Sequence, residues 1–383
     1  MIVCILLLSA GCSGESDIAG TIRIGVYEPE TGEDSTEGNQ EIIGVRYANS
    51  LTSTIEINEE TYKIDLVIAD NGSDDQMGAT AAENLVKENV ALVIGSHGSQ
   101  VTAAANGIFE DAGIPVIGMT CMDSQFMEEE QNYFSICYST ETQGEILADY
   151  AWSRGIRNVY CLAQEDDLDS QSQVDGFAGA FTALGGQVEE GLLTQDGENM
   201  EACIRDATET ACEAIFSPIS VNMADVFLDV AEKNQIQIPV FGSLNWDSHL
   251  IAEKIGESQM EVFVCSVYQA GENLQFDEGL QEWIAADEMT VKANGGNNGL
   301  SAEAALGYDA YFTAVEAIIA AASANPEDVL AALPEIVYTG VCGDIRFNAA
   351  GDILQKRMYI KKCNPQTGVW EPEWEWSETD IQS

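Results

Sequence analysis

Basic residues are scarce in this sequence of 383 residues: 15 Lys and Arg stand against 65 Asp and Glu, for a formal charge of -50. A protein that grips a phosphate backbone needs a basic face, so nucleic acid is excluded as a partner. Histidine is scarcer still, with only His97 and His249, and no two of the ten cysteines form a C-x-x-C pair. Neither a zinc site nor a thioredoxin-like centre is expected, and no metal or cofactor is assigned. G-x-S-x-G, H-E-x-x-H, Walker and G-x-G-x-x-G signatures are also missing, which removes the common hydrolase, metalloprotease and nucleotide-binding readings. His97 stands close to Ser99, but residues two apart on a turn rarely set a base against a nucleophile, and no orienting acid is evident. The chain is therefore not read as an enzyme. After the first few residues no stretch reads as apolar enough to span a bilayer, which takes about 20 residues.

What is present is a chain that folds. Hydrophobic residues make up 45% of it and the acids are dispersed rather than gathered into one tail, so the charge reads as solubility and mutual repulsion, not disorder. The N-terminus opens on an apolar run, Ile2 to Leu8, followed by Ser9, Ala10, Gly11 and Cys12. This resembles a bacterial lipoprotein signal, in which small residues precede the cysteine that becomes lipidated, here Cys12. No Lys or Arg precedes the run, and a short apolar N-terminus of a soluble protein is the alternative. Residues 1–20 are assigned to signal and linker, and the body to an extracytoplasmic, membrane-anchored location. Export permits disulfides. The local candidates are Cys121 with Cys137, Cys203 with Cys212 and Cys342 with Cys363, with buried thiols the alternative for Cys161 and Cys265.

Strands and helices alternate along the chain. Ile22 to Tyr27 reads as a strand, Gly38 to Asn49 as a helix, Tyr62 to Ala69 as a strand and Met77 to Glu88 as a helix. The stretch V-I-G-S-H-G-S, Val93 to Ser99, then ends a buried strand in small polar residues. Ser99 is placed to cap the helix Gln100 to Asp111, which would aim unpaired N–H groups and a favourable dipole at a carboxylate, unless Ser99 is only a cap. A second series runs from a helix at Gln143 to Arg154 to a strand at Val240 to Gly242, a long helix is expected at Ala302 to Ala322, and Gly343 to Lys361 reads as a hairpin. This βαβ rhythm implies doubly wound α/β lobes, two of them at this length.

Several pieces carry a family resemblance from Ile22 to about Lys362. They are I-R-I-G-V-Y-E-P-E-T-G at Ile22, A-D-N-G-S-D-D at Ala69, V-I-G-S-H-G-S at Val93, A-G-I-P-V-I at Ala112 and A-L-G-G at Ala183. N-W-D-S at Asn245, L-G-Y-D-A at Leu306 and G-V-C-G-D-I-R-F-N-A-A-G-D at Gly340 follow in order. Together they resemble the branched-chain amino-acid and amide type of ABC-transporter substrate-binding protein, leucine-binding-protein-like, with the type I periplasmic-binding fold. The resemblance implies two lobes joined by three crossovers, near Thr140, Tyr268 and Thr339. On that pattern residues 21–139 plus 268–338 form the first lobe, residues 140–267 plus 339–370 the second, and residues 371–383 an acidic Trp-rich tail left either packed or free.

The ligand would lie between the lobes, at the carboxyl ends of the strands, and hinge closure would enclose it. By the same resemblance Ser99 holds a ligand carboxylate, Thr120 and Cys121 offer a hydroxyl and backbone N–H groups, Met122 stands in place of a threonine and Tyr308 is the hinge-side aromatic. His97 lies on the same loop as Ser99. Asp169 and Ser220 replace aromatics on the second lobe, Trp246 and Asp247 keep their places, unless Asp247 only caps the following helix, and Leu244 stands where an acid receives an ammonium group. Without that acid the ammonium must find another acceptor, with Asp169 the candidate, or the ligand lacks an amine. The resemblance thus implies a monomeric protein handing an amino acid, amide or small carboxylate to an ABC permease. A ligand-sensing domain feeding a receptor or regulator is the alternative, because one fold serves both.

Overall fold

The computed structural model describes residues 18–120, 131–256, 260–354 and 357–377. The chain begins with strand β1 (Ile18–Glu28), helix α1 (Ser35–Leu51), and strands β2 (Thr54–Ile57) and β3 (Glu60–Asp70). After helix α2 (Asp75–Lys87) come β4 (Leu92–Ile94), helix α3 (Ser99–Asp111), β5 (Val116–Gly118) and β6 (Tyr133–Ser135). These strands form one sheet in the order β2-β3-β1-β4-β5-β6, parallel except where β2 turns back on β3. In β1 the side chains of Ile22, Ile24 and Val26 enter one core and Tyr27 another, the two-residue period of a strand covered on both faces.

The second sheet holds β7 (Asn158–Gln164), β8 (Gln187–Leu193), β9 (Ala214–Phe216), β10 (Val240–Gly242) and β11 (Val262–Ser266). Two strands from the chain end, β14 (Arg357–Asn364) and β15 (Val369–Ser377), complete it antiparallel in the order β15-β14-β11-β10-β9-β7-β8. The chain therefore leaves the first sheet after Ser135 and the second after Ser266, and both exits are tied alike. Ser135 Oγ donates to the carbonyl of Cys137 and accepts from its N–H, and Ser266 Oγ accepts in the same way from the N–H of Tyr268. A short pairing of β12 (Tyr338–Thr339) with β13 (Asp344–Ile345) marks the third passage, where buried Asp309 accepts from the N–H groups of Val341 and Cys342 at 2.9 and 2.8 Å.

Each lobe is pinned by a helix crossing in which glycine meets backbone on both sides. In the first lobe, α1 crosses the helix Ala302–Ala321 so closely that a Cβ on Gly44 would lie 2.0 Å from Ala304 O, and one on Gly307 2.2 Å from Glu41 O. In the second, the helices Thr140–Ser153 and Leu168–Ala183 cross with Gly144 against Gln173 O at 2.2 Å and Gly176 against Glu141 O at 2.4 Å.

Some expectations need correction. The helix Ala302–Ala321 does reach the length and hydropathy of a membrane span, with a mean hydropathy of 1.2, but 67% of it is buried inside the protein as the core helix against α1. The stretch Gly343 to Lys361 is not one hairpin. Its turn forms, with a bridge between Phe347 and Ile353, but the arms part because β13 pairs with β12 and β14 with β11 and β15. The tail is bound as far as Ser377: Trp376 is buried and Trp374 stacks on Tyr150 with ring centroids 5.5 Å apart.

The disulfides expected between Cys203 and Cys212 and between Cys342 and Cys363 do not form. The thiols of Cys203 and Cys212 turn instead toward Leu192 O and Asn158 Oδ1. Cys342 faces Asp309 in one core cluster, whereas Cys363 lies in another. Cys161 and Cys265 are buried thiols, as is Cys137, while Cys12 and Cys121 fall outside the described residues.

The crossings generate a prediction. Gly307→Ala and Gly176→Ala each force a methyl group into backbone and should destabilise the protein by about 1–3 kcal/mol, the cost of overpacking. Urea denaturation midpoints check this, with Gly179→Ala, which meets nothing within 4 Å, as the neutral control.

Candidate functional site

The carboxyl ends of both sheets face one another across a cavity of about 520 Å³. From the first lobe, β4 runs into the loop Gly95 to Gly98, and α3 begins at Ser99. No side chain caps α3 from its own chain segment; Gly98, with φ of 84°, aims the first N–H groups outward. From the second lobe, the helix Leu168–Ala183 presents Asp169 in its first turn, with Asp167 capping it by accepting from Ser170 N at 3.1 Å.

Ser99 and Asp169 meet. Ser99 N–H donates to Asp169 Oδ2 at 2.9 Å and Ser99 Oγ to Oδ1 at 2.6 Å. A carboxylate thus sits on the N-terminus of α3, as the dipole favours, and it comes from the opposite lobe. Other bonds cross the same seam. Val221 N donates to Glu37 Oε1 at 2.8 Å, Gln164 Nε2 to Glu33 Oε1 at 3.0 Å, and Gln40 Nε2 to Ser248 Oγ at 3.4 Å. The lobes are closed on one another.

Beneath the loop, His97 is 5% exposed. Its Nδ1 lies 2.9 Å from Thr120 Oγ1 and 3.7 Å from Glu41 Oε1, and Thr120 Oγ1 also donates to Glu41 Oε1 at 2.5 Å. Burial disfavours a charge on His97, but the hydrogen bond and charge of Glu41, with Glu37 and Asp34 beyond, outweigh it and push its pKa up to about 10. The ring is an imidazolium held by carboxylates, so it is no base.

The other expected site residues separate into groups. Ser220 lines the cavity and also caps the helix Val221–Lys233 through Met223 N at 3.4 Å. Thr120 is buried against His97 and Glu41. Cys121 and Met122 lie outside the described residues. Trp246 is fully buried in the second lobe, its Nε1 donating to Ile219 O at 2.7 Å and its ring against Phe227, so it is placed in the core. Leu244 is buried beside it. Asp247 neither caps the next helix nor faces the cavity: it forms a buried ion pair with Lys361 Nζ at 2.7 Å and accepts from Ser266 Oγ. Tyr308 packs among Tyr47, Phe276 and Phe312 on the side of its helix away from the cavity lining.

Sequence reasoning missed the acids and amides around the cleft. Glu37, Gln40 and Glu41 occupy buried positions of α1, spaced so that they share one face. Polar residues at i, i+3 and i+4 on a helix that buries that face were the available signal. Glu303 was hidden because an acid in the first turn of a helix reads as a dipole partner, yet it is wholly buried. Glu33, Asp34, Asp75, Glu165, Asp166 and Asp167 join Asp169 in lining the cavity. A larger groove of about 690 Å³ beside α2 lies on the outside of the first lobe alone and brings no such convergence. Among the described residues no group of three or more acid, His or Cys side chains is placed to hold a metal ion.

Two α/β lobes closed over a polar cavity define a ligand-binding protein of the type I periplasmic-binding fold. The family model described as periplasmic binding protein matches residues 21–368, and the chain belongs to that family. It is 26% identical over 201 residues to a Pseudomonas aeruginosa amino acid binding protein, spanning about half of that relative's length (53%) and 51% of this chain. It is 21% identical over 354 residues to Leu/Ile/Val-binding protein homolog 1 of Brucella abortus, covering 86% of this chain and 87% of that one. Among solved structures, a leucine binding protein of Thermotoga maritima superposes with a TM-score of 0.82 at 21% identity, covering 94% of this chain and 99% of that one. A solute binding protein of R. palustris in complex with benzoate gives 0.81 at 17% identity, covering 94% and 97%.

The cleft's titrating groups set a pH dependence. Burial, with Asp169 behind it, pushes Asp167 up to about 7, and burial raises Glu37 as well. Protons are thus held more tightly in the folded state, so these carboxylates weaken folding as pH rises from their ordinary range near 4 toward 7. The stabilisation from charged His97 is full below 6.5 and is lost toward about 10. All act in one direction, so the melting temperature should fall steadily from pH 5 to pH 9, and Glu37→Gln should flatten the part below pH 7. A melting temperature that rises over this range contradicts the arrangement.

Proposed function

We propose that this protein is the extracytoplasmic solute-binding component of an ABC importer, delivering a small polar ligand of the amino-acid or amino-acid-like kind. The observation that supports this most directly is the pair of lobes meeting through Ser99 and Asp169 over a polar cavity. A cleft that closes by contacts between lobes encloses its ligand by a hinge motion, and a closed, liganded form is what a permease can distinguish from an empty one. The named relatives fit the reading: they are called amino acid or Leu/Ile/Val-binding proteins, and the structural neighbours are titled as binding leucine or benzoate. We take the lobes to be residues 21–139 plus 268–338 and 140–267 plus 339–370, with β15 carrying the second on to Ser377. Cys12 is taken as the lipid attachment site. We assign Ser99 and Asp169 to closing the cleft over the ligand, and Ser220 and the His97–Thr120 pair to its wall. Nothing in this set provides a nucleophile with a free base, in keeping with a binder.

Two outcomes test this. In a thermal-shift screen of amino acids, amides, amines and small carboxylates, a ligand present at 100 times its dissociation constant should stabilise the protein by about 2.7 kcal/mol. A flat response across all four classes argues against a solute-binding role. Expressed in a bacterial host with its N-terminus intact, the protein should fractionate with membranes, and Cys12→Ala should release it into the soluble fraction.

A further inference from the structure

The anion seat of this cleft is already filled. Ser99 N–H and Oγ at the start of α3, the groups placed to hold a ligand carboxylate, are engaged by Asp169 at 2.9 and 2.6 Å. A ligand carboxylate could take that place only by displacing a charge-assisted pair of hydrogen bonds and crowding another carboxylate.

The charged side chains that remain around the cavity are mostly acceptors. Glu33, Asp34 and Asp75 face it from the first lobe, and Glu165, Asp166 and Asp167 join Asp169 from the second. Among the described residues no Lys or Arg lines it, and the cationic group found there, His97, is held by Glu41 and Thr120. The acids alone would be unremarkable in a chain of this charge. The buried amides are not. Gln164 and Gln173 line the cavity, each is 3% exposed, and the Oε1 of each has no hydrogen-bond partner. The orientation of Gln164 is fixed, because its Nε2 donates to Glu33, so its carbonyl oxygen is left as an acceptor. Asn245 Oδ1, also in the lining, is unpartnered too.

Immediately behind the wall the pattern repeats. Glu37 is bound to Val221, next to the lining residue Ser220, and Glu41 is bound to the lining residue His97 through Thr120. Both are fully buried, and each keeps one carboxylate oxygen without a partner. A buried acceptor left unpaired costs about 1–3 kcal/mol, more when charged, so this many in one seam calls for donors and positive charge from outside the chain.

We infer that the cleft is specific for a small organic cation rich in N–H donors and lacking a carboxylate, such as a primary diamine or a guanidino amine. The inference rests on the solute-binding reading and puts an amine without a carboxylate in place of the amino-acid-like ligand. Ammonium or guanidinium N–H groups would satisfy Gln164, Gln173 and Asn245 together and relieve the repulsion among the lining acids, while Asp169 stays on Ser99 to hold the lobes shut. A metal ion is a poorer occupant, since no three ligating side chains converge among the described residues.

Isothermal calorimetry on the whole chain tests this with putrescine and agmatine against leucine, benzoate, choline and calcium chloride. Putrescine or agmatine should bind at least tenfold more tightly than leucine or benzoate, and choline, a cation without N–H donors, should bind weakly. Asp167→Asn keeps the helix cap but deletes a charge, so it should weaken cation binding by tenfold or more without lowering the melting temperature. The inference is overturned if leucine or benzoate binds more tightly than both amines, if calcium does, if neither amine binds, or if Asp167→Asn binds amines as well as the parent. Binding of leucine or benzoate alone would leave the solute-binding reading standing and remove only the cationic ligand.

Discussion

The contact on which the closed structure depends is a carboxylate resting on a helix N-terminus that belongs to the other lobe. α3 begins with unpaired N–H groups because its preceding residues are a glycine-containing loop without a capping side chain. Asp169 supplies what is missing at a distance of 70 residues in sequence. Once this bond fixes how the lobes meet, the neighbouring bonds follow from position: Glu37 reaches the start of the helix Val221–Lys233, and Gln164 reaches Glu33. Each is one partner donating a polar group that the other lobe would otherwise leave exposed. These polar contacts mark where the two lobes close on one another.

Burial of so many acids sets the electrostatic character of the interior. Glu37, Glu41, Glu303, Asp247 and Asp309 are all buried, and the buried positive charges that answer them among the described residues are His97 and Lys361. Lys361 neutralises Asp247. His97 is shared by Glu41 and Glu37, and two backbone N–H groups serve Asp309. Glu303 has no buried cation beside it, and burial holds its pKa well above the usual range. The protein thus answers its buried acids chiefly by pairing and by backbone donors.

Much of the fold was legible because the parallel strands are buried on both faces and stand out as apolar runs between helices. The strand Val240–Gly242 has the expected limits, and α2 and α3 lie within two residues of theirs. The strands that escaped reading are short or at sheet edges. β2 has four residues, β6 has three, and β15 alternates glutamate with tryptophan, a pattern that reads as an acidic tail until β14 is beside it. Within the site, Ser99 could be singled out because it opens a helix after a strand, and Asp169 only because the family resemblance puts it in the place of a ligand-covering aromatic. That they would bond to each other could not, since strand and helix patterns carry no information about how two lobes face. Trp246 was misjudged for a related reason: its place next to a loop says nothing about which way the ring turns, and Gly242 leaves room for it in the core.

The position of β14 and β15 at the end of the chain also fixes an order of assembly. Every strand of the first sheet lies before residue 136, so that sheet can pair while most of the chain has yet to be made. The second sheet cannot: β11 stays an open edge until β14 arrives, and β14 until β15 covers it. An open edge offers unpaired N–H and C=O groups to any passing strand. β15, with its own Trp370 and Trp376 buried, therefore works as a seam: until it pairs with β14 the first sheet is complete and the second still has a sticky edge.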